Sequence, residues 1–150
     1  MLECGRFMSA EQIFSLANAV ALVGWLILAI AGRSRWASSV ATGVIVPLLL
    51  AVLYLGLLLG HWGETKGGFG SLDSVAALFS NHWLLLAGWI HYLCFDLFIG
   101  SWEVRDAKAQ GVSHWLVIPC LFLTFMFGPV GLLLYFALRA VRTRTIAISP

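Results

Sequence analysis

The sequence predicts an all-α integral membrane protein with four transmembrane helices and a short interfacial helix between the second and the third. The chain of 150 residues is 61% hydrophobic and only 11% charged, whereas soluble domains carry about 25% charged residues. Four stretches lack Asp, Glu, Lys and Arg altogether: residues 12–32, 36–63, 74–95 and 109–138. Each reaches the roughly 20 residues that cross a hydrocarbon core of about 30 Å.

These stretches form a single transmembrane domain over residues 1–150, with predicted spans at approximately 10–31, 36–60, 82–102 and 115–138. Ser9 and Gln12 have the spacing of a capping box and start the first span. Pro47 is expected to kink the second span. Ser71 follows a glycine-rich turn and caps the short helix, which we expect to lie in the membrane interface. The segment 127–131 (FGPVG) is expected to kink or unwind the fourth span midway.

The charge balance and the cysteines exclude some classes of function. A formal net charge of +2 is too small to indicate a nucleic-acid partner. Cys4, Cys94 and Cys120 lack the spacing of metal ligands, so we expect Cys94 and Cys120 to be small buried hydrophobic residues. An even number of spans places both termini on one side. Five basic residues on that side against four on the other weakly favour the cytoplasmic side for the termini.

The third predicted span carries a row of polar residues that repeats every seven positions: His82, Trp89, Asp96 and Glu103. Residues seven apart lie about 20° apart around a helix, so this row forms one stripe with Tyr92 beside it. His91 points away from the stripe. Ionisable groups inside a membrane span are costly and usually face a bundle interior or a cavity. We therefore expect the stripe to face protein.

The acidic and histidine side chains near this span are candidates for acid–base catalysis. Asp96 lies inside the span, whereas Glu103, Asp106 and His114 lie near one interface. Such groups can move protons without a metal or a redox cofactor, and the histidine spacings do not form a metal-binding signature. We predict no metal and no cofactor. The open alternative is that Asp96 only bonds a neighbouring helix and that the others form a solvated cluster. Six further residues are candidate substrate contacts: Asn18, Trp89, His91, Tyr92, Trp102 and Arg105.

Four stretches carry more specific information: FSLANAVALVGW (residues 14–25), GGFGSLDSVAALF (67–79), GWIHYLCFDLFIGSWEVRDA (88–107) and GVSHWLVIPCLFLTFMFGPVGLLLY (111–135). They resemble the abscisic-acid-deficient-four family of small four-helix membrane proteins. The resemblance implies neoxanthin-synthase-type chemistry, in which the epoxide end group of violaxanthin is isomerised to an allene with a tertiary alcohol. That conversion needs proton transfers but no net electrons. The implied partner is a carotenoid or another hydrophobic lipid.

Geometry adds a preference among the acidic groups. A carotenoid is about as long as the hydrocarbon core is thick, roughly 30 Å. If it spans the bilayer, its end ring lies at headgroup depth, which favours Glu103, Asp106 and His114 over Asp96 for ring chemistry. Two alternatives stay open: a non-catalytic protein that binds a pigment or a partner, and a small proton-coupled transporter. The latter is disfavoured because four helices without an internal repeat leave little room for alternating access.

Localisation and assembly follow from the same features. We expect a multi-pass protein of a bacterial inner membrane, or of a plastid membrane if the chain is a mature plant-type form, because no transit-type segment precedes the first span. The membrane is therefore one partner, and no nucleic acid is expected. Small residues on the helix faces favour a homo-oligomer.

Overall fold

The computed structural model describes residues 8–64 and 67–144, and within these ranges every regular element is a helix. Six helices follow one another: α1 (Ala10–Ala31), α2 (Trp36–His61), α3 (Leu72–Phe79), α4 (His82–Ala109), α5 (His114–Phe127) and α6 (Pro129–Thr143). Helices α1, α2 and α4 are long and apolar enough to cross a membrane, with 22, 26 and 28 residues. The all-α prediction is confirmed, but a fourth helix of this length is not among the described elements.

Two helices begin at the caps that the sequence predicts. The Ser9 hydroxyl accepts a bond from the Gln12 amide at 3.2 Å, and the Gln12 side chain accepts one from the Ser9 amide at 2.9 Å. The Ser71 hydroxyl accepts a bond from the Ser74 amide at 3.1 Å and starts α3. Such caps satisfy amide groups that have no partner inside the helix. The short helix between the second and third long helices is therefore present as predicted.

Helix α2 changes its type along its length. It begins as a π-helix over Trp36–Ile45 and becomes α-helical over Val46–His61. Pro47 lacks an amide hydrogen and cannot bond to the preceding turn, and the wider π turns lie just before it. The Thr42 hydroxyl donates to the Ala37 carbonyl five residues earlier at 2.9 Å. The predicted kink at Pro47 therefore takes the form of a π-to-α transition.

Helix α4 is the longest helix and lies at the centre of the bundle, where it packs against α1, α2 and α5. It extends seven residues beyond the predicted span 82–102 and ends at Ala109. The start of the predicted polar loop, from Val104 onward, is thus helical. Its polar side chains find partners on other elements: the Arg105 guanidinium donates to the Ser38 carbonyl at 3.2 Å, and Lys108 donates to the Arg33 carbonyl at 3.0 Å.

The predicted fourth span is divided into α5 and α6, and these helices fold back on each other at Gly128. In a straight helix, residues seven apart are about 10.5 Å apart. Here a Cβ built on Gly131 would lie 2.1 Å from the amide nitrogen of Thr124, so α6 returns alongside α5. Gly128 has a φ of +45°, a conformation that side chains other than hydrogen rarely adopt. The predicted break is confirmed, but the two halves form a hairpin rather than one kinked span.

Because of the hairpin, α6 ends at the opposite end of α4 from the start of α1. Arg139, near the end of α6, contacts Asp106 near the end of α4, while Ala10 of α1 shares a pocket with His82 at the start of α4. The start of α1 and the end of α6 therefore lie at opposite ends of α4. The two termini lie outside the described residues, so the expectation that they share one side of the membrane stays a prediction. We call the end with Arg139 the basic end.

Candidate functional site

The side chain of Glu103 is enclosed by protein. Its residue has 0% exposure, and the Thr124 hydroxyl of α5 lies 3.0 and 3.2 Å from its two carboxylate oxygens. The predicted direction of this part of the stripe, toward protein, is thus observed. Thr124 was not anticipated as a partner, because it lies 21 residues away in an otherwise apolar segment.

Asp106 belongs to a second buried polar cluster. The Tyr135 hydroxyl donates to its Oδ2 atom at 2.5 Å, and the Nε atom of Arg139 lies 2.8 Å from the same oxygen. Arg139 has 0% exposure, and its Nη1 and Nη2 atoms lack a hydrogen-bond partner among the described residues. A buried guanidinium needs a nearby anion because its desolvation is costly. Asp106 is therefore the counter-ion that holds α6 against α4.

Asp96 is half-buried and faces the tip of the hairpin. Its Oδ2 atom is buried and lacks a hydrogen-bond partner within the described residues. A Cβ built on Gly128 would lie 2.9 Å from Asp96 Oδ1, so only glycine lets the turn approach the carboxyl group this closely. One turn earlier on α4, the Tyr92 hydroxyl donates to the Phe125 carbonyl at 2.9 Å. Asp96 thus has an unpaired carboxyl oxygen at the point where α5 ends.

The other predicted catalytic residue, His114, is placed differently. A ring nitrogen of His114 lies 2.8 Å from the Ala29 carbonyl of α1. The side chain lines a pocket at the basic end that does not include Glu103 or Asp106. The structure therefore brings Glu103 and Asp106 onto adjacent turns of α4 but gives His114 a different neighbourhood.

The predicted substrate contacts fall into two groups. Trp89 and Asn18 are joined by a bond from the indole nitrogen to the amide oxygen at 3.1 Å, and the Trp89 ring lies 5.3 Å from the Tyr92 ring. These residues lie between α1 and α4. Trp102 instead makes an edge contact with Tyr135 beside the Asp106 cluster, with ring centroids 5.5 Å apart.

His91 and Arg105 lie outside the α1–α4 face. His91 is exposed on the surface of the bundle, where its ring lies 4.6 Å from Phe95 and 5.7 Å from Tyr54. The Arg105 guanidinium lies against Gly43, whose missing side chain leaves room for it. Arg105 therefore links α4 to the π-helical part of α2.

A groove of about 440 Å³ opens between α1 and α4 at the end opposite to the basic end. Its walls are formed by Ala10, Glu11, Phe14, His82, Leu85, Leu86 and Trp89. Of the polar stripe, His82 and Trp89 line this groove. The Trp89 ring contacts Tyr92, and Asp96 lies one turn beyond Tyr92, outside the lining of the groove.

The cluster of Asp106, Tyr135 and Arg139 could be predicted only in part from the sequence. Tyr135 and Arg139 are four residues apart and therefore share one face of α6. This spacing was the sequence signal that the two side chains could act on one partner. Their contact with Asp106 depends on the hairpin turning back.

Within the ranges 8–64 and 67–144, no group of three or more His, Cys, Asp or Glu side chains could hold a metal ion.

Comparisons with known proteins identify the family. No curated protein and no solved structure matches the chain. Residues 12–135 match the family described as ABA4-like (ABA DEFICIENT 4-like). This match covers most of the chain and contains Asp96, Glu103, Asp106 and the hairpin turn, whereas Arg139 lies beyond it. The protein is therefore a member of the ABA4-like family.

Proposed function

We propose that this protein is a membrane-embedded acid–base isomerase of a carotenoid or a related isoprenoid lipid. In this proposal α1, α2 and α4 cross the membrane, and the α5–α6 hairpin enters it from the basic end and turns back. The observation that carries the proposal is the buried Oδ2 atom of Asp96, which has no hydrogen-bond partner among the described residues and lies two turns of α4 beyond Trp89 of the α1–α4 groove. Buried polar groups without partners are uncommon, and each calls for an explanation.

The proposed chemistry is the one that the family resemblance implies. Opening an epoxide to an allene with a tertiary alcohol adds one proton to the epoxide oxygen and removes one from a neighbouring polyene carbon. A protonated carboxyl group balances both transfers: one oxygen donates its proton while the other accepts the carbon-bound proton. Both oxygens must then reach the substrate, which requires Oδ2, buried in this structure, to become accessible when the substrate enters. The net reaction consumes neither protons nor electrons.

The other predicted catalytic residues receive different roles in this proposal. Glu103 lies two turns from Asp96, about 10.5 Å along the helix axis, which suits a second proton carrier rather than a direct contact with the same ring. Asp106 positions α6 through its ion pair with Arg139. His114 joins α5 to α1 through the Ala29 carbonyl. We therefore rank Asp96 first, Glu103 second, and Asp106 and His114 as positioning residues.

The groove favours a hydrophobic substrate. Ligand sites are typically concave and apolar, with a few placed polar groups that fix orientation. Here Phe14, Leu85 and Leu86 supply the apolar wall, while the Trp89–Asn18 bond fixes the indole. An end ring that enters between α1 and α4 would travel toward Asp96 and would reach mid-depth in the membrane. This differs from the expectation that ring chemistry occurs at headgroup depth.

A second candidate function is non-catalytic binding of a pigment. It is favoured by the pairing of the other carboxylates, because Glu103 is bonded by Thr124 and Asp106 by Tyr135 and Arg139. Buried polar clusters of this kind can also serve only to fix helix packing. Under this alternative a pigment would co-purify unchanged, and a neutral substitution at Asp96 would have no chemical consequence.

Pigment conversion in cells tests the two candidates. The protein and the variants Asp96→Asn, Glu103→Gln and Asp73→Asn are expressed in cells that make violaxanthin, and pigments are separated by chromatography. Asp73 is an exposed residue of α3 and serves as the matched control. We expect conversion by the parent and by Asp73→Asn, and loss of conversion of about 100-fold or more for Asp96→Asn. Unchanged conversion by Asp96→Asn at equal membrane levels refutes the assignment. Co-purified violaxanthin without conversion by the parent supports the binding alternative.

A further inference from the structure

The basic residues of the described chain are gathered at one end of the bundle. Lys108 donates to the Arg33 carbonyl, which joins the α4–α5 and α1–α2 connections. Arg139 contacts Asp106 at the same end, and the last turn of α6 continues outward from it. All seven Lys and Arg residues within 8–64 and 67–144 belong to this end: Arg33, Arg35, Arg105, Lys108, Arg139, Arg142 and Arg144.

Most of these charges have no internal counter-ion. The ion pairs within the described residues are His61–Glu64 at the opposite end and Arg139–Asp106. Arg33 and Lys108 therefore have no carboxylate within 4.0 Å in the described chain. The three exposed carboxylates, Glu11, Glu64 and Asp73, precede α4 on the opposite side of the bundle. The positive charge at the basic end is therefore available to bind a partner outside the chain.

A pocket of about 290 Å³ lies among these charges. Two cations, Arg33 and Lys108, line this pocket together with His114, the loop residues 111–113 and the apolar residues Val104 and Ala107. The start of α5 opens into this pocket, and no side chain of the described residues caps it. A helix start favours an anion through its free amide groups, and here it adds to two side-chain cations around one cavity.

We propose that this pocket binds a phosphate group, supplied either by the headgroup of an anionic phospholipid or by free phosphate. The lipid source is favoured because the cations lie together at one end of the bundle, as headgroup-facing residues of membrane proteins do. Clustered Lys and Arg residues also mark the cytoplasmic side of membrane proteins, where anionic lipids are present. The proposal concerns a separate surface and does not depend on the proposed isomerase function.

Native mass spectrometry of the purified full chain tests this site. The protein in detergent is titrated with phosphatidylglycerol, with phosphatidylcholine and with inorganic phosphate. The pocket variant Arg33→Gln/Lys108→Gln is compared with Arg142→Gln/Arg144→Gln, which removes the same charge from the same end outside the pocket. Each cation near an anionic headgroup is worth about fivefold in affinity. We therefore expect the pocket variant to lose about 25-fold in phosphatidylglycerol affinity, and the control variant to lose less than fivefold.

The possible outcomes distinguish the two sources of phosphate. They also distinguish binding in the pocket from diffuse electrostatic attraction. Retention of phosphatidylglycerol over phosphatidylcholine supports a lipid headgroup, and its displacement by millimolar inorganic phosphate supports free phosphate. Equal losses for the two double variants overturn the proposal, as does equal retention of the two lipids. The charge-preserving variant Arg33→Lys/Lys108→Arg controls for folding, since it removes the native side chains but should retain binding. Loss of binding in this variant with an unchanged elution profile also contradicts the charge-based account.

Discussion

The ion pair between Arg139 and Asp106 gives the sharpest test of the α5–α6 hairpin. Arg139→Met replaces a fully buried guanidinium with an apolar side chain of similar length and leaves the Asp106 carboxylate without its cation. Removing one partner of a buried pair costs about 3–5 kcal/mol. At roughly 2–4 °C per kcal/mol for a chain of this size, the midpoint of thermal unfolding should fall by roughly 6–20 °C. The double variant Asp106→Asn/Arg139→Met should recover most of this loss, because it removes both charges.

Thermal unfolding in one detergent, followed by a fluorescent thiol probe or by circular dichroism, measures these differences. Arg142→Met is the matched control, because Arg142 is exposed and lies three residues further along the same helix. A surface substitution of this kind usually changes stability by less than about 0.5 kcal/mol. If Arg139→Met lowers the midpoint no further than Arg142→Met, or if the double variant is less stable than Arg139→Met, the hairpin is not held by this pair and the reasoning is refuted.

Three further predictions concern other parts of the fold. Gly131→Ala should separate the two hairpin helices, because its Cβ would lie 2.1 Å from the Thr124 amide nitrogen. Protease cleavage near residue 128 should therefore increase. The control is Gly56→Ala, whose Cβ would lie in open space. Reporter fusions should place the two termini on opposite sides of the membrane with the C-terminus in the cytoplasm, and a cytoplasmic N-terminus would contradict this. The pKa of Glu64 is lowered by its bonds to His61 and Asn81. The stabilisation that these bonds give is therefore present above about pH 4.5 and is lost as the pH falls through the lowered pKa. Amide exchange around residue 64 should detect this loss of stability, and the pH dependence should be absent in Glu64→Gln.

Local sequence signals predicted several features of the molecule correctly. The Ser9–Gln12 capping box and the Ser71 cap depend on residues three positions apart, so the chain itself brings the partners together. The break at Gly128 follows from glycine and proline in sequence, because neither residue favours a continuous helix. The orientation of Glu103 toward protein follows from the cost of placing a charge against lipid. These signals act within one helix and do not need the tertiary fold.

The contacts that hold the acidic stripe could not be predicted in the same way. Thr124 and Tyr135 lie on separate halves of the predicted fourth span, about 16 Å apart if that span were straight. Only the reversal at Gly128 brings both to adjacent turns of α4, where they meet Glu103 and Asp106. Hydrophobicity alone predicts a crossing segment, because a hairpin and a span are equally apolar.

The late position of these partners in the chain has a consequence for synthesis of the protein. Asp106 is made 29 residues before Tyr135 and 33 before Arg139, so Asp106 lacks both partners if α4 inserts into the membrane before α6 is made. The nascent chain should therefore remain close to the insertion machinery until the hairpin emerges. A chain that stops before Pro129 would present an exposed carboxylate to lipid, which is a feature that membrane quality-control proteases can recognise. Truncation before α6 should therefore lower the level of the protein in the membrane.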